Sequence, residues 1–236
     1  MNSQTRDAVF LSLFGALAGL AFYILAEIVP DVLGYSRLWF ALCVFMFCLF
    51  GGALAMAGPV ALLRSLIPAA GMAIAISVLT VWASLRFGNV NDFVKTEHPF
   101  AVILCLFVIS LPFLMTSAGQ GTSPRQYGDL FDAAWGAVTR VIVAMAFTGL
   151  FWGLLILSDS LLQLVGLTII EDLLEIDFVP PILTGLVFGL AVAVVYELAD
   201  LISPQLVLRL LRLLMPMITV VVAIFVVALP FRGLSN

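Results

Sequence analysis

Glu197 and Asp200 are three residues apart, as are Arg209 and Arg212, and a short "SPQ" turn lies between the two pairs. That spacing puts both members of a pair on one helix face. Two antiparallel helices joined at the turn would therefore bring Asp200 to Arg209 and Glu197 to Arg212. Such a set reads as structural ion pairing at the headgroup level, or, with Glu197 as the active group, as a proton or sodium site. A second concentration of charge is the stretch "SDSLLQLVGLTIIEDLLEIDFVPP", residues 158–181, which holds five carboxylates and no Lys or Arg. Thr168, Glu171, Asp172 and Glu175 follow an i, i+3, i+4, i+7 pattern with apolar residues on the other sides, which predicts an interfacial helix with its acids in water. With Asp177 they form a solvated face, or a vestibule that gathers cations at a pore mouth.

Other chemistry is not encoded. The chain has no HExxH, GxSxG, Walker or Gly-rich dinucleotide pattern. Its one histidine, His98, cannot supply two axial haem ligands, and no paired carboxylates lie deep in the apolar stretches. Catalytic residues, a metal site and a cofactor are therefore not expected. Cys43, Cys48 and Cys105 all fall in apolar stretches and read as small core residues. Cys43 and Cys48 are about 140° apart around a helix, which rules out their pairing. A net charge of −4 argues against nucleic acid as a partner.

The elements that hold these residues are set by hydropathy. The 236 residues are 64% hydrophobic and 10% charged, with a mean hydropathy of +1.23. A chain of that composition cannot clothe a water-facing surface. Its apolar blocks are long enough to cross ~30 Å of hydrocarbon as helices, and they lack the alternation of a membrane β-barrel. The expected fold is all-α, a polytopic transmembrane bundle in one domain with about seven spans: Ala8–Val29, Leu38–Ala57, Leu66–Leu85, Phe100–Thr116, Ala137–Leu157, Val179–Leu198 and Leu206–Leu229. Pro30 is expected to close the first span, and Pro112 and Pro216 to kink or break the fourth and seventh. The first apolar run, Ala8–Val29, is long enough to span and the sequence begins at Met1, so it is expected to be a span and not a removed signal peptide. A Trp135-bearing amphipathic stretch precedes the fifth. Counting Arg and Lys in the connectors, six (Arg140 among them) against four, places the N-terminus inside.

Two internal matches suggest duplication. "ILCLFVISLPF" (103–113) aligns with "VVAIFVVALPF" (221–231), and "GMAIAI" (71–76) with "GLAVAV" (189–194), both at an offset of 118. "SRLWFALC" (36–43) aligns with "TRVIVAMA" (139–146) at 103, so 118 − 103 = 15 residues are inserted between spans five and six, where the acidic segment lies. Three spans per copy would make repeats A (36–116) and B (139–231) inverted with respect to each other, a transporter-like plan. Three small-xxx-small pairs, Gly15/Gly19, Gly149/Gly153 and Gly185/Gly189, allow close helix approach, within the bundle or against partners.

From Arg140 onward, "FWGLLILSDSLLQLVGL", "TGLVFGLAV" and "LRLLRLLMPMITVVVAIFVVALPFRGL" resemble a bacterial inner-membrane family catalogued as domain of unknown function 4153, the closing "LPFRGL" most of all. The resemblance covers about the last 95 residues. It implies a multi-pass protein of the bacterial cytoplasmic membrane and transfers no site residues. Two functional readings stand. One is a non-catalytic accessory subunit or assembly partner of a membrane complex, working through glycine-lined helix faces in a chain without deep charges. The other is a secondary transporter or channel on inverted repeats with an acidic vestibule.

Overall fold

The computed structural model describes residues 3–58, 60–96, 98–119, 124–198, 212, 215–224 and 226; the side chains of 3–7, 197 and 198 are outside that description. Among the described residues the chain is helical: α1 (Ser3–Tyr23), a π turn (Ile24–Ile28), α2 (Val29–Leu33), α3 (Arg37–Met56), α4 (Leu62–Ser84), α5 (Val90–Val94), α6 (His98–Ala118), α7 (Tyr127–Leu164), α8 (Ile169–Leu174) and α9 (Val179–Leu198). Six of these stretches are long and apolar enough to cross a bilayer, and the described helix Met215–Ile224 lies inside the expected seventh span. The all-α, multi-span expectation therefore holds.

Successive long helices run antiparallel, so the connectors gather at two ends. The carboxylate end holds the α2–α3 turn, α5 and α8, with Glu27, Asp31, Asp92, Asp159, Glu171, Asp172, Glu175 and Asp177 against Arg37, Arg86 and Lys95. The arginine end holds the α3–α4 and α6–α7 turns and the end of α9, with Arg6, Arg64, Arg125 and Arg140 against Asp7, Asp129, Asp132 and Glu197.

Two apolar cores lie side by side. One joins α3, α4 and α6 through Phe40, Cys48, Met72, Ile76, Phe107 and Leu111. The other joins α1, α7 and α9 through Leu11, Ala144, Phe147, Val187, Ala191 and Val192. Large apolar side chains elsewhere point outward, among them Leu63, Ile67, Ile109 and Ile142. In water that surface would be untenable, and in hydrocarbon it costs nothing.

Pro30 does not close the first helix. The helix continues to Leu33, where Gly34 (φ 61°) ends it. The reason is the π turn. Proline has no N–H and its ring crowds the preceding turn, so the backbone widens just before it. Val29 N–H then bonds Ile24 O, five residues back. Leu25 O, left without its helical donor, accepts the Trp39 indole N–H at 2.8 Å, tying the widened turn to α3. Glu27 within this turn is exposed, as snorkelling to the interface requires. The helix likewise runs unbroken through Pro112 in α6 and Pro68 in α4.

Helix α7 also departs from expectation. The Trp135 stretch is not a separate element but the first turns of α7, and residues 158–164 are its last turns rather than connector. Its 38 residues reach about 57 Å, well beyond the ~30 Å of hydrocarbon. The surplus is aromatic at the arginine end, where Tyr127, Phe131 and Trp135 stack at i, i+4, i+8. It is hydrophilic at the other, with Asp159, Ser160 and Gln163. A Schellman motif ends the helix: Gly166 (φ 71°) donates to Gln163 O at 2.8 Å and Leu167 to Leu162 O at 3.0 Å.

Candidate functional site

The glycines separate into two classes. Helices α1 and α9 form the most extensive helix pairing among the described residues. Their antiparallel backbones interleave at Gly15 and Gly19 on one side and Gly185 and Gly189 on the other. A Cβ placed on Gly15 would lie inside the shell of the Gly185 carbonyl and 3.2 Å from Gly189 Cα. One placed on Gly19 would meet Pro181, and one on Gly189 would meet the Leu11 carbonyl and Ser12 Cα, 3.2 Å away. Two of the three predicted motifs are therefore consumed by each other, inside the chain.

The third pair is not. Gly149 and Gly153 are exposed on α7, and a Cβ on either would meet nothing within 4 Å. Ala146, one turn earlier, is exposed as well, and Met145, Leu150, Ile156 and Leu157 flank the shallow channel these small residues leave. Beside this face, the Trp152 indole donates to Thr184 Oγ1 at 3.1 Å and holds α7 to α9. Positions matched by the internal repeat differ in packing: Gly189 clasps α1, whereas Gly71 faces open space.

The acidic segment forms the predicted helix only over Ile169–Leu174, six residues. Glu171, Asp172, Glu175 and Asp177 are all exposed. Thr168 Oγ1 donates to Asp172 at 3.3 Å, and the Gln163 amide bridges Asp159 (2.9 Å) and Glu171 (3.3 Å). The shared amide ties the end of α7 to the start of α8. Of the expected ion-pair set, Glu197 lies on α9 with its side chain outside the description, Asp200 and Arg209 lie outside the described residues, and Arg212 is exposed. The cysteines are free. Cys48 is buried and Cys43 half-buried, but Cys105 is exposed on α6, so it is not a core residue.

Arg140 corrects the expectation that no charge lies deep. Counted as a connector residue by its place at the edge of an apolar block, it is only 8% exposed, within α7. Its Nε donates to Gly136 O at 3.0 Å, in its own helix. On the helix it sits between Ala137, which belongs to the α3–α4–α6 core, and Ala144, which belongs to the α1–α7–α9 core. The guanidinium thus occupies the seam between the two helix groups, where the Tyr196 phenol of α9 is its electrostatic neighbour. The signal was present: "VTRVIV" has an arginine with apolar residues on both sides.

A cavity of about 260 Å³ lies at the carboxylate end between α4 and α6, floored by Phe87 and Phe93 and almost wholly apolar, with Thr96 and His98 at its rim. Arg37 ties the same region together by donating to the Phe87 and Gly88 carbonyls. Compared with family models, curated proteins and solved structures, the chain matches none of them.

Proposed function

We propose that this chain is a non-catalytic integral membrane protein that serves as an accessory subunit or assembly partner of a membrane complex, seated through the open face of α7. One observation carries the reading. Of three close-packing glycine pairs, two are used up between α1 and α9, and the third faces outward with room for a helix backbone. Glycine is among the weakest helix formers, so a pair on an uncovered helix face offers this chain nothing by itself. Against a second transmembrane helix it allows the close approach that drives association in lipid. The proposal includes the bacterial cytoplasmic membrane implied by the C-terminal resemblance, and an N-terminus on the cytoplasmic side, in keeping with arginines at that end and carboxylates at the other.

Purification in mild detergent tests it. The wild-type chain is expected to bring stoichiometric membrane proteins with it, and Gly149→Leu/Gly153→Leu to lose them while eluting as a folded species. Companions retained by the double variant, or a lone monodisperse wild-type protein, would overturn the proposal. The second reading, a transporter or channel on inverted repeats, is supported by a buried arginine in the seam between helix groups. It predicts substrate-dependent flux in proteoliposomes containing this chain alone.

A further inference from the structure

A guanidinium enclosed among membrane helices is costly unless a counter-charge meets it. Among the described residues no carboxylate bonds Arg140; its hydrogen bond is the one from Nε to Gly136 O. That bond, with Nη2 3.9 Å from the Cβ position of Gly136, lays the guanidinium back along α7 toward the arginine end, and its Nη donors are not sealed in. The fully enclosed polar atoms without partners among the described residues are Ser77 Oγ and Asp159 Oδ1. The depth is definite too. Trp135, an exposed aromatic of the kind that sits at headgroup level, precedes Arg140 by five residues, about 7.5 Å along the helix. Tyr196, the electrostatic neighbour of Arg140, packs its ring on Gly58 in the α3–α4 turn, which lies at the arginine end. Arg64 and Arg125 lie at the same end, together with Asp129, Asp132 and, on α9 next to Tyr196, Glu197.

We infer that Arg140 is an anion site, taking a phosphate-class oxyanion at the arginine end of the seam between the two helix groups. The guanidinium fork matches two oxygens of such a group, and Arg holds its charge at any accessible pH. Laid back to the level of Gly136, next to Trp135, the guanidinium reaches toward the depth of lipid phosphates, and a soluble oxyanion could enter from the adjacent aqueous face. The chemistry at the arginine is the same for both.

The test uses the full chain, stripped of lipid in a neutral maltoside detergent, with thermal unfolding read against added inorganic phosphate, phosphatidylglycerol or phosphate-free diacylglycerol. The wild-type midpoint is expected to rise with phosphate or phosphatidylglycerol and not with diacylglycerol. In Arg140→Gln the response should weaken about tenfold or more, the worth of one charge-assisted hydrogen bond. A response to both anions assigns a soluble oxyanion, and a response to phosphatidylglycerol alone assigns a lipid phosphate. An arginine-directed dicarbonyl reagent, read by mass spectrometry at Arg140 of the wild type, gives a second measurement that needs no variant to fold; the bound anion should slow its reaction there. An Arg140→Gln response equal to wild type, or neither stabilisation nor protection by either anion, would overturn the inference.

Discussion

Replacing Gly185 by alanine tests the α1–α9 clasp with one methyl group. The added Cβ would collide with the Gly15 carbonyl oxygen and stand 2.8 Å from its carbon and 3.1 Å from Gly19 N. All three atoms are backbone, so no side chain can rotate out of the way. The helices must part by roughly an ångström to restore contact near 3.5 Å, and a gap of that size forfeits a quarter to a half of each contact's dispersion energy along the seam. Overpacking of this kind costs about 1–3 kcal/mol. Alanine is also the better helix former by up to about 1 kcal/mol, a gain that partly masks the loss. Gly149→Ala is the internal control, because its Cβ meets nothing within 4 Å. Both variants share the helix-forming gain, so the difference between them isolates the clash and should be about 1–3 kcal/mol in favour of Gly149→Ala. Reversible unfolding in mixed micelles measures it. Gly15→Ala should behave like Gly185→Ala, and the double variant should cost less than the sum, because helices already parted by one methyl have room for the other. Equal stability of Gly185→Ala and Gly149→Ala would refute the clasp.

Two further substitutions follow from single hydrogen-bonding groups. Trp39→Phe keeps the ring but removes the donor to Leu25 O, leaving the carbonyl freed by the π turn unpaired, and should lower stability by about 1–3 kcal/mol in the same assay. Ser77→Ala should raise stability by about 1 kcal/mol, because Ser77 Oγ is buried in α4 without a partner among the described residues; a loss would show that the hydroxyl is bonded.

Much of the fold was legible because hydropathy reports directly on the transfer of each segment into hydrocarbon. The spans from Ala8 to Leu198 correspond to helices displaced by a few residues at their ends, except that α7 starts ten residues before the fifth expected span and ends seven after it. Where the reading failed, the missing information was tertiary. Pro30 looks like a terminator to local rules, and only Trp39, reaching Leu25 O from the next helix, shows how the widened turn is satisfied. Spacing identified the four glycines of the α1–α9 clasp but not that Gly15 meets Gly185 while Gly149 meets nothing, since an i, i+4 pattern carries no address; Gly52, tight against Met72, carried no such pattern. Arg140 was missed for a related reason. At the edge of an apolar block its burial depends on α9 and the α3–α4 turn, both remote in sequence.

The central claim is that six long helices cross a bilayer and alternate in direction. Single cysteines at Gly34, Gly88 and Gly166, on a background with Cys43, Cys48 and Cys105 replaced, probe the carboxylate end, and cysteines at Ala61 and Gln126 probe the arginine end. A membrane-impermeant maleimide applied to sealed vesicles should label one set and spare the other until the vesicles are opened. Labelling of Gly34→Cys and Gln126→Cys from the same side of intact vesicles would contradict the architecture.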